Sequence, residues 1–305
     1  MLIDKVIRVN ETEPSDDVDP IQLVEDAGSL ERAGDKSGAA RLYNAAGNIY
    51  MTLADYEDAL SNFEKALKLY RELGDDNGVS DTVYNLGIAQ MNLERYEDAA
   101  KSCEEAMHLF EKVSNQEGIA DSLYGLGLAK MGMRSFDEAM EFLRRAQRAY
   151  KDIGNEQGAA STIMDMGNAY MEQEDWENAE KTLKKALATY RELNDKAGVA
   201  DVLSLLGEIA ELNNNQRRAI ECFVEAAQGY LESEMFDIAR EAIERAEAKI
   251  WDVPKATRRR LRQTIDEIID KLPEEPEEDL EDEDLEDIED LADLESDLSD
   301  DTELE

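Results

Sequence analysis

Residue types that carry covalent or acid–base chemistry are scarce in this chain and poorly placed for it. The single histidine, His108, sits between Met107 and Leu109. A lone imidazole with no matching residue in the parallel segments reads as structural rather than as a catalytic base. The two cysteines, Cys103 and Cys222, lie far apart and form no CxxC pair. Cys103 takes a position held by Phe63 and Leu143 in parallel segments, which predicts a buried, inert thiol. Nothing nearby marks Cys222 as activated. Two isolated thiols fit a reducing, cytoplasmic location. No histidine–cysteine set has metal-ligand spacing, so neither a metal nor a cofactor is expected. Carboxylates abound, but no spacing singles out an acid/base pair. The Gly34–Gly38 and Gly74–Gly78 turns follow no strand and precede no Gly-Lys-Ser/Thr, so they do not cradle a phosphate. Catalysis by this chain is not expected; binding is. Met51, Met91, Met131 and Met171 recur every 40 residues. They form either a soft, adaptable ladder for a partner helix or peptide, or filler between helices.

The elements that position these residues keep the same period. Gly47, Gly87, Gly127, Gly167 and Gly207 stand 40 apart, and Gly38, Gly78, Gly118, Gly158 and Gly198 run nine residues ahead of them. Ala59, Ala99, Ala139, Ala179 and Ala219 repeat likewise. Self-similarity at this length signals stacked helical units rather than one globular core. Within a unit, apolar residues fall at three-to-four spacing on two successive helices. Val83, Leu86 and Gly87 mark one. Tyr96, Ala99, Cys103, Ala106 and Phe110 mark the next. Small residues at the crossing let the helices approach, and aromatics fill the space between neighbouring pairs. No strand-like alternation is sustained, so the class is all-α.

The pattern resembles the tetratricopeptide repeat: Tyr43, Gly47 and Tyr50 on one first helix, then Leu86-Gly87, Leu126-Gly127, Met166-Gly167 with Tyr170, and Leu206-Gly207, with Ala, a large residue and Ala on each second helix. The 40-residue period exceeds the usual 34 and is similar to the longer repeats of Pins-type scaffolds. The resemblance implies a right-handed superhelical α-solenoid of antiparallel helix pairs, and a protein-binding adaptor that holds a peptide or helix in a concave groove. It places Asn44, Asn48, Met51, Tyr84, Met91, Tyr124, Met131, Asn168 and Met171 at that groove as partner-binding residues. Arg41, Asp81, Ile88, Asp121, Leu128, Ser161 and Met164 fall at groove positions too. The basic, asparagine-lined clamp with which some family members hold a C-terminal carboxylate is not reproduced.

Expected boundaries are a flexible N-terminus over 1–19, a solenoid over 20–253, a capping helix over 254–272 and a disordered acidic tail over 273–305. The solenoid comprises a leading helix, five repeats and a half-repeat after Tyr230. The tail holds 20 acids and no bases within a net charge of −41. Its Leu285, Ile288, Leu291 and Leu294 have helical spacing, so it either stays solvated or docks as an amphipathic segment, in its own groove or on the basic Lys255, Arg258, Arg259, Arg260 and Arg262 cluster. Self-inhibition by the tail, capture of basic proteins, or assistance to an enzyme on another chain are the alternative functions. The acidic balance argues against nucleic acid, whose phosphates need a basic surface. No apolar run reaches the ~18 residues of a membrane span.

Overall fold

The computed structural model describes residues 18–273. The expectations for residues 1–17, and for 274–305 with their Leu285–Leu294 stripe, lie outside the described residues. Chain geometry is set by one recurring event. Every 20 residues, at Gly34, Ala54, Gly74, Glu94, Ser114, Arg134, Gly154, Glu174, Asn194, Asn214 and Glu234, the backbone turns left-handed, with φ between 55° and 88°. At each turn the next amide reaches back to a carbonyl five residues earlier, from Asp35 to Leu30 (2.9 Å) through to Met235 to Tyr230 (2.9 Å). This satisfies orphan carbonyls at the helix end and reverses the chain at once.

Thirteen α-helices result among the described residues. They are α1 Pro20–Ala33, α2 Lys36–Thr52, α3 Tyr56–Leu73, α4 Asp76–Asn92, α5 Tyr96–Val113, α6 Gln116–Gly132, α7 Phe136–Asp152, α8 Glu156–Glu172, α9 Trp176–Glu192, α10 Lys196–Leu212, α11 Gln216–Glu232, α12 Phe236–Ala248 and α13 Lys255–Ile269. A 3₁₀ turn, Ile250–Asp252, joins the last two. Each helix from α2 to α12 packs on the one before it, α13 packs on α11, and the even-numbered helices α4, α6, α8 and α10 also touch in series. This is the all-α solenoid of helix pairs that the repeat predicts.

Asp35, Asp75, Asn115, Asn155 and Asp195 open the even-numbered helices α2 to α10. Their side chains accept the amides of Gly38, Gly78, Gly118, Gly158 and Gly198 at 2.8–3.0 Å. Such N-caps satisfy donors with no partner inside the helix. The second glycine series holds the pair together. A Cβ added at Gly127 would stand 2.6 Å from Leu143 Cδ2 and 3.3 Å from the Leu143 amide nitrogen, and one at Gly207 would stand 2.7 Å from Phe223 Cε1. The bare backbone there is the seat for the buried residue of the following helix. Phe63, Leu143, Leu183 and Phe223 are fully buried in those seats, and burying each stabilises the fold by roughly 1.5–3 kcal/mol.

After Tyr230 only Ser233-Glu234-Met235 separates α11 from α12, and α12 follows α11 as a first helix follows a second, so the series of helix pairs ends on a single helix. Its Ala239, Ile243 and Ala246 are buried in the core it shares with α11. Beyond it, α13 buries Leu261, Ile265 and Ile268 in the core shared with α10, α11 and α12. Trp251 stays exposed, with the Arg258 and Arg262 guanidiniums 4.4 and 5.0 Å from its ring centre.

Candidate functional site

The even-numbered helices line a concave cavity of ≈ 1460 Å³ that runs from α2 to α12. Each contributes residues from its first four turns. Forty-residue periodicity therefore lays equivalent side chains side by side: Arg41, Asp81, Asp121, Ser161, Asp201 and Glu241 form one row, and Asn44, Tyr84, Tyr124, Met164 and Ser204 the next. Rings from the odd-numbered helices, Tyr70, Phe110, Tyr150, Tyr190 and Tyr230, reach between them to form the floor.

Hydroxyls of the floor are tied to the walls. Tyr150 donates to Asp121 Oδ1 at 2.6 Å and Tyr230 to Asp201 Oδ1 at 3.0 Å. Tyr190 Oη lies 2.9 Å from Ser161 Oγ. Tyr124 on α6 donates to Asp165 Oδ2 on α8 at 2.5 Å, and Asn168 Nδ2 donates to Asp165 Oδ1 at 3.3 Å. Asp165 is only 3% exposed. Such charge-assisted bonds are short and about twice as strong as neutral ones. They fix the carboxylates and rings in place before any partner arrives. Tyr84 meets Phe110, and Tyr124 meets Tyr150, in edge-on pairs at 6.5 and 6.3 Å.

Burial shapes the electrostatics. It raises the Tyr124 hydroxyl well above its ordinary pKa, helped by the Asp165 charge, and pushes Tyr190 up to about 12. Both phenols stay protonated and serve as donors. The Asp81 carboxyl is raised by burial and then by the nearby Asp75 charge. The folded state thus holds that proton more tightly than the unfolded chain does. Ionised Asp81 costs nothing below the ordinary carboxylate pKa and its full penalty above the raised one. Asp81→Asn is accordingly expected to raise Tm at pH 7 and leave it unchanged at pH 3 in circular dichroism melts. A lower Tm at pH 7 would contradict this.

Of the nine expected partner-binding residues, Asn44, Asn48, Tyr84, Tyr124 and Asn168 line the cavity. Asn44 accepts from Thr82 and Asn48 from Asn85, both at 3.3 Å, so these amides also bridge α2 to α4. The four methionines do not line it. Met51 and Met91 are 5% and 2% exposed and share a core cluster with Ile88, Ala89 and Ala129, at the C-terminal ends of the even-numbered helices. Met131 and Met171 are half-buried away from the cavity wall. Their helical angle matches that of the groove positions, but two turns further along the helices close on one another and methionine fills the gap. The carboxylate Asp165 and the floor tyrosines were not expected at the site. Their only sequence signal is the 40-residue recurrence of an aromatic at the end of each second helix, which packing alone explains.

Groups of catalytic type are remote or quenched. Cys103 is fully buried, its thiol pushed up to about 12, and burial pushes Cys222 up to about 11. His108 is exposed on α5, with Nδ1 3.2 Å from Glu111. Among the described residues no group of histidine, cysteine and acids could hold a metal ion, and no helix is long and apolar enough to cross a membrane.

Family models described as tetratricopeptide repeat match residues 29–73, 79–152 and 158–232. Solved structures of similar fold include BtubC (BKLC) from P. vanneervenii, 19% identical with a TM-score of 0.58 over 70% of this chain and 89% of that one. A signal transduction ATPase with a tetratricopeptide repeat sensor from Pyrococcus horikoshii is 14% identical, with a TM-score of 0.60 over 83% of this chain and 43% of that one. Aspartyl phosphate phosphatase F from Bacillus subtilis is 13% identical, with a TM-score of 0.52 over 75% of this chain and 68% of that one. At these identities the likeness is one of fold. No curated protein matches the sequence.

Proposed function

This chain belongs to the tetratricopeptide repeat family, and from that premise we propose that it is a non-catalytic scaffold that holds a segment of a partner protein, as an extended peptide or a helix, in its concave groove. The carrying observation is the groove's size and construction. At ≈ 1460 Å³ it exceeds the roughly 300–1,000 Å³ of small-molecule sites. Its walls are assembled from one face of six alternate helices, so it offers a long surface instead of a single pocket. Hydrogen bonds within the walls pre-organise that surface, which lowers the ordering cost of binding.

Placing a photo-crosslinking amino acid at Tyr84 in the groove, and separately at His108 on α5, tests this. Partner adducts are expected from position 84 and not from 108. Equal yields from both positions, or adducts from 108 alone, would remove the groove as the binding face.

A further inference from the structure

At the C-terminal end of the solenoid, exposed apolar side chains and cations meet on one face. Trp251 is 65% exposed and Ile269 45% exposed, one before the start of α13 and one at its end. Between them Lys255, Arg258 and Arg262 follow the spacing of a single helical stripe that runs on to Ile269. This stripe borders the buried one of Leu261, Ile265 and Ile268, so its cations stand along the edge of an apolar seam. The Arg258 and Arg262 guanidiniums rest on the Trp251 ring. Stacking of that kind orients a planar cation while its in-plane N–H donors stay available to a carboxylate.

The charges on this face are also left over. Elsewhere on the outer surface, bases reach acids of the neighbouring repeat, as in Lys36–Glu72, Arg71–Glu105, Arg191–Glu225 and Lys196–Glu232 at 2.6–2.9 Å. On α13 only Arg260, on another side of the helix, is so paired, with Glu221 at 2.8 Å. Lys255, Arg258, Arg259 and Arg262 have no ion-pair partner among the described residues. Arg144 and Arg148 on α7 are likewise exposed, but among the described residues none of the exposed large apolar side chains lies on α7. The combination of open cations with an open indole belongs to the α13 face.

A segment of matching chemistry comes next in the sequence. The described residues stop at Pro273, whose carbonyl accepts from Arg240 on α12. Residues 274–305 follow, with 20 acids, no bases, and Ile288, Leu291, Leu294 and Leu298 at three-to-four spacing. We propose that this segment folds back along α13, laying those four apolar residues against Trp251 and Ile269 and its flanking carboxylates on Lys255, Arg258 and Arg262. Lengths agree. From Arg258 to Ile269 the face runs about 17 Å, and a helical stripe from Ile288 to Leu298 covers about 15 Å. The residues between Pro273 and Ile288 can span up to about 50 Å, more than enough to return along the helix. Exposed ion pairs are individually weak, but a tether of this length supplies an effective concentration near the millimolar range. Docking there covers the open indole and closes the end of the solenoid, where a repeat array must otherwise meet water. What occupies the concave groove does not bear on this contact.

The test places a photo-crosslinking amino acid at Asp266, exposed on α13 one turn after Arg262, in the purified full chain, with adducts mapped by mass spectrometry. Adducts within one chain, between position 266 and residues 274–305, are expected. Arg258→Gln with Arg262→Gln should lower their yield at least about threefold, and Ile288→Ser with Leu291→Ser should do the same. Arg144→Gln with Arg148→Gln, the same charge change on α7, should lower it by less than about 1.5-fold. Helicity and Tm of each variant establish that it is folded. Absence of adducts to 274–305 would overturn the proposal. So would a yield that the α13 pair lowers no more than the α7 pair, or that the serine pair leaves unchanged, since the tether alone then brings the segment near. Adducts with the mass of two chains would overturn it as well, by giving the face to a second copy.

Discussion

Phe223→Ala is expected to destabilise the C-terminal third of the solenoid by about 3–5 kcal/mol. The Phe223 ring is fully buried in the seat left by Gly207. Alanine would leave that seat empty, and the rigid backbones of α10 and α11 on either side relax only partly into the void. Truncation also removes the aromatic face under Arg245. Contacts in this fold are between neighbours, so the loss should stay local. A thermal melt followed by circular dichroism is expected to split, with α10 to α13 melting first and the N-terminal repeats near their original Tm. One unshifted cooperative transition would show that Phe223 does not hold this seam.

The second large effect concerns one hydroxyl. Tyr124→Phe keeps the ring and its edge-on contact with Tyr150, and removes only the 2.5 Å bond to Asp165. Hydrogen bonds to charged groups contribute about 1.5–3 kcal/mol, and the deeply buried Asp165 loses a strong donor. A loss of that size in urea unfolding is expected. Most of it should disappear in Tyr124→Phe with Asp165→Asn, because the buried charge is then gone. If the two substitutions simply add, the hydroxyl and carboxylate do not work as a pair.

Much of this architecture was legible because helix packing imposes absolute requirements on single positions. A residue at 127 larger than glycine collides with Leu143, so the glycines recur and declare the period. The aspartates and asparagines before Gly38 and its equivalents declare where helices begin. Legibility ended where a residue's role depends on a neighbour supplied by another repeat. Tyr150 and Tyr190 look like filler in the sequence; only the fold brings their hydroxyls to Asp121 and Ser161, 29 residues upstream. The methionines failed for a related reason. Periodicity gives an angle about the helix axis but not the depth at which adjacent helices close over it.

The recurring left-handed turn also has an evolutionary side. Eight of the eleven left-handed turn positions carry a residue other than glycine, among them Ala54, Arg134 and Glu174, and each such residue holds a conformation that costs an L-amino acid about 1–2 kcal/mol. The chain therefore keeps a reserve of unspent stability at its corners. Changes to glycine at these corners could be accumulated one at a time, and the margin gained would let the groove residues drift towards new partners without the scaffold coming apart.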